Sequence, residues 1–304
     1  MTAPIRVATR GSALARWQAD RVVQRLGCSC ELVIVSTQGD RDRTSAIHAI
    51  GGTGVFVKEV QDAVLRGDAD LAVHSAKDLP AETADGLILG AVPERADVRD
   101  ALVGSRLADL PAGATIGTGA VRRRAQLAAH RPDLTFAELR GNVPTRVERA
   151  RDFGAVVIAL AALIRLQLTE CVAEILTTEM MLPMVGQGAL AVECREDDAA
   201  SRDALQAIDD AREHRGVRAE RAFLRELGGG CSMPCGAYAT VNESGGLSLD
   251  ALLATVDGST VVRTQATGDD PEALGTMVAR RILDDLGGAA VLVSGQNLET
   301  GGQP

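Results

Sequence analysis

The 304-residue sequence predicts an α/β protein in two successive series with a smaller α+β region at the C-terminal end. Strand-like and helix-like segments alternate through the first two thirds, and that alternation argues for sheets covered by helices. A Pro-, Glu-, Arg- and Asp-rich stretch, Val92 to Asp100, separates the two series. Beyond about residue 211 the pattern changes to a helix, two strands and a final helix. A length of roughly 150 residues per domain makes two or three domains the expectation.

In the first series Ile5 to Thr9 alternates as a strand, Gly11 and Ser12 make a turn and an N-cap, and Leu14, Trp17, Val22 and Leu26 mark a helix stopped by Gly27. Glu31 to Ser36 reads as a strand, Gly51 to Gly54 opens a helix through Leu65, and Leu71 to His74 is a strand again. The second series begins at Thr115 to Thr118, with strands near 135 to 139 and 155 to 160. The third region has a helix from Val217 to Leu227, two strands joined by Asp257-Gly258, a strong hairpin signal, and a helix from Pro271 to Leu286. The polar stretch Asn297 to Pro304 reads as a frayed end.

Composition excludes several classes. Hydrophobic residues make up 46% and charged residues 24%, enough for a packed core. With 2% aromatic residues and a net charge of -9, neither stacking platforms nor a basic field for nucleic acid is present. No apolar run follows a basic start, and the longest apolar stretch, Ala155 to Ile164, stops at Arg165, so neither signal peptide nor membrane span is expected. The six cysteines at 28, 30, 171, 194, 231 and 235 are too scattered for a disulfide framework, and reduced thiols in the cytoplasm are the simplest reading. Of 32 basic residues only Lys58 and Lys77 are lysine, leaving 30 arginines; a lysine kept amid that bias suggests a chemical need for a compact ammonium.

Several turns look built for anions. Arg10-Gly11-Ser12 opens a helix whose free N–H groups favour negative charge, with Arg10 as an added donor. Gly117-Thr118-Gly119 leads into Val121-Arg122-Arg123-Arg124, which puts cations at a helix start against the dipole, at about 0.3 to 1 kcal/mol each. A bound polyanion would favour them there, and a solvated basic face is the alternative. Arg140 and Arg146 flank another helix start capped by Asn142, and Arg165 follows the apolar segment 155 to 164. Arginines thus recur at strand ends, where α/β sheets bind ligands.

The polar cluster His74-Ser75-Ala76-Lys77-Asp78 follows the apolar Leu71-Ala72-Val73, a position where catalytic groups often lie. His74 alone fits a structural histidine, and a Lys77–Asp78 step alone fits a surface pair. Gly228-Gly229-Gly230 gives the backbone unusual freedom ahead of Cys231. That thiol could be a nucleophile, an incidental linker residue, or half of a metal site with Cys235. No matching Cys or His pair stands at zinc spacing, and no metal is expected.

Together the segments RVATRGSALARWQA, GGTGVFVKE, DLAVHSAKDLP, VRRRAQL, LRGNVPTR, LPMVGQGALAVECR and ERAFLRELGGGCSMPCG resemble the porphobilinogen deaminase (hydroxymethylbilane synthase) family, from Ile5 to Ala237. The resemblance implies two α/β domains of periplasmic-binding-protein type around a cleft, 1–94 with 189–210 and 95–188, and a third domain, 211–304, that bears the cofactor cysteine. It implies a dipyrromethane cofactor joined by a thioether to Cys231 and bound by Ser75, Lys77, Arg122 and Arg123. Arg10, Ser12, Gln18, Lys58, Arg140, Arg146 and Arg165 would bind porphobilinogen and the growing chain, and Asp78 would be the catalytic residue. Asp78 would stabilise the positive charge that develops as ammonia leaves, four pyrroles being joined into linear hydroxymethylbilane. A cytoplasmic monomer acting on a small molecule, without nucleic acid or membrane, completes the expectation.

Four positions depart from the family pattern: Thr53 where lysine is common, Gly119 and Ala120 where hydroxyl residues are common, and Pro144 where glycine is frequent. A non-enzymatic two-lobed anion-binding protein would share the cleft and the arginines but would need neither Asp78 nor Cys231. A zinc- or thiol-dependent hydrolase would need a His-Asp or metal set beside Cys231, which the sequence lacks.

Overall fold

The computed structural model describes residues 3–41, 54–230 and 233–293. Its strands are β1 Ile5–Arg10, β2 Cys30–Val35, β3 Leu71–Ser75, β4 Leu87–Ala91, β5 Asp100–Val103, β6 Thr115–Gly117, β7 Thr135–Ala137, β8 Ala155–Ala159, β9 Val172–Leu176, β10 Leu190–Arg195, β11 Cys235–Val241, β12 Leu247–Ala254 and β13 Val261–Gly268. The helices are α1 Ala13–Leu26, α2 Gln38–Arg41, α3 Lys58–Leu65, α4 Val121–His130, α5 Val143–Glu148, α6 Leu160–Arg165, α7 Ala199–Gln206, α8 Ala211–Glu226 and α9 Pro271–Arg280.

Local chemistry sets the ends of these elements. Ser12 accepts from the Ala15 backbone N–H at 3.2 Å and starts α1. Gly27 closes it at φ 64, a conformation that costs glycine little. Asn142 caps α5 in the same way, accepting from the Thr145 N–H at 3.0 Å, with Pro144 in the first turn. The Asp257-Gly258 signal lies in the turn between β12 and β13, where Gly258 has φ 72 and Thr255 donates to the Thr260 carbonyl at 2.9 Å.

Two five-stranded sheets share one plan. The first has the order β2-β1-β3-β10-β4 and the second β7-β6-β8-β5-β9. In each, three parallel strands are followed by an antiparallel fourth: β10 runs against β3 and β4, and β5 against β8 and β9. The chain therefore passes from the first sheet to the second between β4 and β5 and returns between β9 and β10. The third sheet is the antiparallel meander β11-β12-β13, covered by α8 and α9. Phe223, Leu249, Leu253, Leu274 and Val278 fill its core, and truncating one such leucine to alanine costs about 2 to 5 kcal/mol.

The elements depart from the sequence reading in specific ways. The third region has three strands rather than two, because β11 follows a Gly- and Pro-rich stretch whose turn signals mask the alternation after Cys235. The final helix stops at Arg280 and widens into a π-type turn over Arg281–Asp285. Thr53 and Cys231 lie outside the described residues.

The two crossing segments and the third sheet meet at one buried ion pair. Arg95 Nη1 lies 2.6 Å from Glu220 Oε1, and Arg95 Nε donates to the Gln187 carbonyl at 2.9 Å. Glu220 also accepts from the Gly186 N–H at 2.7 Å and the Ala239 N–H at 3.0 Å. Every charge here is compensated, which a buried pair requires.

Candidate active site

The site forms around the carboxyl end of β3, where the chain leaves the sheet in a single 3-10 turn, Ala76–Asp78. Ser75 and Asp78 are partly buried there. The segment after β9 packs on this turn so closely that a Cβ on Gly186, which has φ 71, would stand 2.9 Å from the Lys77 backbone nitrogen. Gln18, buried on the inner face of α1, donates to Ser75 Oγ at 2.8 Å. That bond joins two sequence-predicted residues 57 positions apart.

The second sheet supplies the facing groups through α4. Arg122 Nη2 and Arg123 Nη2 bond opposite oxygens of Asp100, each at 2.7 Å. Arg122 Nη1 also donates to the Leu182 carbonyl at 2.6 Å, and Arg123 Nη1 to the Val157 carbonyl at 3.0 Å. Arg123 Nε at 3.2 Å and Gln187 Nε2 at 3.0 Å add a third and a fourth donor to Asp100. Arg122 and Arg123 are buried rather than a solvated basic face, and Asp100, fully buried, neutralises part of their charge from within. Burial would raise the Asp100 pKa, but the two guanidinium groups outweigh it and hold the carboxyl well below the usual range.

Positive charge still predominates. Burial, then Arg123 and Arg122, lowers Lys77 to about 8 against the pull of Asp78 and Asp100. Burial, then Arg123 and Arg140, lowers Arg146 to about 10 against Glu138 and Asp78. Lys77, Arg122, Arg123, Arg140 and Arg146 therefore share one field with Asp78, Asp100 and Glu138, five cations against three carboxylates. Two donor atoms in this set, Arg122 Nε and Arg140 Nη1, are buried without a hydrogen-bond partner among the described residues. Buried donors left in this state cost about 1 to 3 kcal/mol each, and an anionic ligand would satisfy them. The residues fit a cofactor and a substrate that carry acetate and propionate groups.

The other sequence-predicted residues occupy several settings. Arg165 is buried on α6, donates to the Gly188 carbonyl at 2.7 Å, and lies 5.6 Å from the centre of the Trp17 ring. Burial alone lowers it to about 10. Arg10, at the end of β1, stacks 4.1 Å from the Phe56 ring centre. Ser12 is engaged as the cap of α1, and Lys58 is exposed at the first residue of α3. His74 points into the first sheet's interior, 3.2 Å from Glu193 Oε2 but not aligned for a hydrogen bond, while Gln61 donates to both Glu193 oxygens. It is a core histidine.

Sequence reasoning missed Asp100, Gln187 and Glu138. Asp100 sits in the charged stretch that reads as a domain crossing, although three adjacent arginines at a helix start are themselves a signal that a countercharge is near. A Cβ at Gly119 would stand 3.1 Å from the Leu139 carbonyl oxygen, a tight contact against backbone, and 2.8 Å from Glu138 Oε1, the movable end of an exposed side chain. No group of three metal-ligating residues occurs among the described residues. Cys235 is buried at the start of β11, its thiol pushed up to about 12 by burial, with Arg122 close enough to oppose that shift. Gly230 and Met233 are joined by a backbone hydrogen bond of 3.1 Å.

The family profile "Porphobilinogen deaminase, dipyromethane cofactor binding domain" matches residues 5–203, and "Porphobilinogen deaminase, C-terminal domain" matches residues 215–284. Curated relatives named porphobilinogen deaminase include one from Brevibacillus brevis, 43% identical and covering 91% of this chain and 93% of its own length. Another, from Syntrophotalea carbinolica, is 45% identical and covers 92% of each. Among solved structures, a TRAP periplasmic solute binding protein from Ralstonia eutropha H16 is 14% identical, with a TM-score of 0.38 over 74% of this chain and 81% of that one. The chain belongs to the porphobilinogen deaminase family, the hydroxymethylbilane synthases of tetrapyrrole biosynthesis, which carry a dipyrromethane cofactor.

Proposed function

We propose that Asp78 is the catalytic residue of this enzyme and that its cation-rich surroundings bind the carboxylates of cofactor and substrate. The observation that carries this reading is the surplus of buried positive charge around Asp78, together with the unpartnered Arg140 Nη1. Lys77, Arg122 and Arg123, with Ser75 oriented by Gln18, hold the dipyrromethane. The cofactor supplies the nucleophilic pyrrole carbon at which the chain is extended. Arg10, Ser12, Gln18, Lys58, Arg140, Arg146 and Arg165 receive porphobilinogen and the growing chain through its acetate and propionate groups. Asp78 stabilises the positive charge that develops on the substrate as ammonia departs, and its fixed position spares the solvent reorganisation this would need in water. Guanidinium groups bind carboxylates through paired N–H donors and so also fix the pyrrole's orientation.

Cys231 anchors the cofactor. The proposed domains are 1–94 with 189–210, 95–188, and 211–304, and the proposed state is a cytoplasmic monomer that binds neither nucleic acid nor membrane. No helix among the described residues is long and apolar enough to cross a membrane. Intact-protein mass, measured before and after porphobilinogen is added, tests the reading. A dipyrromethane-sized adduct that grows by pyrrole units and is absent from Cys231→Ser supports it. A wild-type adduct that persists in Cys231→Ser would overturn Cys231 as the anchor of the cofactor.

A further inference from the structure

Two sulfur atoms meet at the opposite end of the first sheet. Gly27 ends α1 in the left-handed conformation and turns the chain into Cys28-Ser29-Cys30. The Ser29 carbonyl accepts from the Ile5 N–H at 2.9 Å, and Cys30 pairs in register with Ile5, so this segment is fixed against β1. The Cys28 and Cys30 sulfurs lie 3.8 Å apart. Cys28 is exposed, whereas Cys30 is partly covered and packs on the first sheet's core. A disulfide needs about 2.05 Å between sulfurs, so closure requires less than about 2 Å of approach. Cys28 lies in a bend outside the strand and can supply that movement. The pair stands five residues along the parallel strands from Arg10, roughly 16 Å at about 3.3 Å per residue.

We propose that Cys28 and Cys30 form a dithiol modification site that hydrogen peroxide converts reversibly to an intrachain disulfide. The Cys28 thiolate attacks a peroxide oxygen, the O–O bond breaks, and protonation of the leaving oxygen releases water, with Cys28 left as a sulfenic acid. The Cys30 sulfur then gives up its proton and attacks the Cys28 sulfur. The S–S bond forms as the S–O bond breaks and a second water leaves. Two thiols have lost two electrons to one hydrogen peroxide, and a dithiol reductant reverses the change. Cys28 is the exposed sulfur and the one a peroxide reaches first, while burial, then the contact with Cys28, pushes the partly covered Cys30 up to about 11.

The test treats the holoenzyme with one equivalent of hydrogen peroxide, alkylates the remaining thiols with iodoacetamide, and maps the tryptic peptide from Leu26 to Arg41. The expected result is a peptide lighter by two hydrogens, with both cysteines unalkylated, that recovers two alkylation sites after dithiothreitol. Cys30→Ser should trap Cys28 as a sulfenic acid reactive toward dimedone, and Cys28→Ser should leave Cys30 fully alkylated. The proposal is overturned if Cys28 proceeds to sulfinic acid or joins a second molecule while wild-type Cys30 remains free, or if both stay alkylated while Cys171 oxidises.

Discussion

Asp100 and Arg123 form a buried, two-point ion pair, with Arg123 Nη2 at 2.7 Å and Nε at 3.2 Å from a single carboxylate oxygen, while Arg122 occupies the other. The pair fixes the start of α4 and sets how much positive charge the site presents. Asp100→Asn keeps the shape but removes the countercharge from two buried guanidinium groups. Breaking a buried pair from one side costs about 3 to 5 kcal/mol, so the variant should unfold at markedly lower denaturant concentration than wild type.

The same pair sets an acid limit. Asp100 has its folded pKa depressed, so its stabilising contribution is present above the unfolded value of about 3.9 and is lost as pH falls from there toward the folded value. Denaturant midpoints measured downward from about pH 5 should fall for wild type, and more shallowly for Asp100→Asn.

Lys77 titrates in the opposite setting. Its folded pKa of about 8 lies below the ordinary lysine value, so the folded chain gives up that proton first, and the Lys77 contribution makes stability rise between about pH 8 and 10.5. Capture of anionic groups runs the other way, since the ammonium is lost over the same interval. Reconstitution of holoenzyme from cofactor-free protein should slow as pH passes about 8. Lys77→Gln should reconstitute more slowly at pH 7 and lack that inflection; an unchanged inflection would assign it to another group.

Arg140 carries an unpartnered buried donor and should contribute chiefly to substrate binding. A hydrogen bond to a charged group contributes about 1.5 to 3 kcal/mol, so Arg140→Gln should raise KM by roughly 10- to 150-fold. Steady-state kinetics on protein with full cofactor occupancy checks this, with kcat expected to change less than KM.

Arg95→Gln tests the junction of the three sheets. It leaves Glu220 buried without its cation, and a loss of about 3 to 5 kcal/mol is expected in equilibrium unfolding. Activity per folded molecule should be largely retained, because Arg95 lies outside the set of charges around Asp78.

The sequence made much of this organisation legible, and the reasons are local. Ser12, Gly27, Asn142 and Asp257-Gly258 act through their own backbone, so α1, α5 and the β12–β13 turn could be read directly. Short inserted strands could not: β5 and β10 are stabilised by partners far along the chain, with Val192 opposite Val73, and four to six residues carry too little periodicity to announce a strand. Arg122 and Arg123 were legible as an unusual helix start. Their partner was not, because a carboxylate in a charged stretch looks like solvent-facing text until the sheet buries it. Glu138 and Gln187 enter the site only through tertiary packing.

The central claim is that Asp78 stabilises positive charge during ammonia loss, and porphobilinogen turnover by Asp78→Asn tests it most directly, with intact mass run alongside to establish that the variant carries its cofactor. Removing one preorganised electrostatic group costs about 100- to 1000-fold in kcat, and a loss of at least that size with the dipyrromethane adduct present is the predicted result. A loaded Asp78→Asn enzyme that turns over porphobilinogen at the wild-type rate would contradict the account.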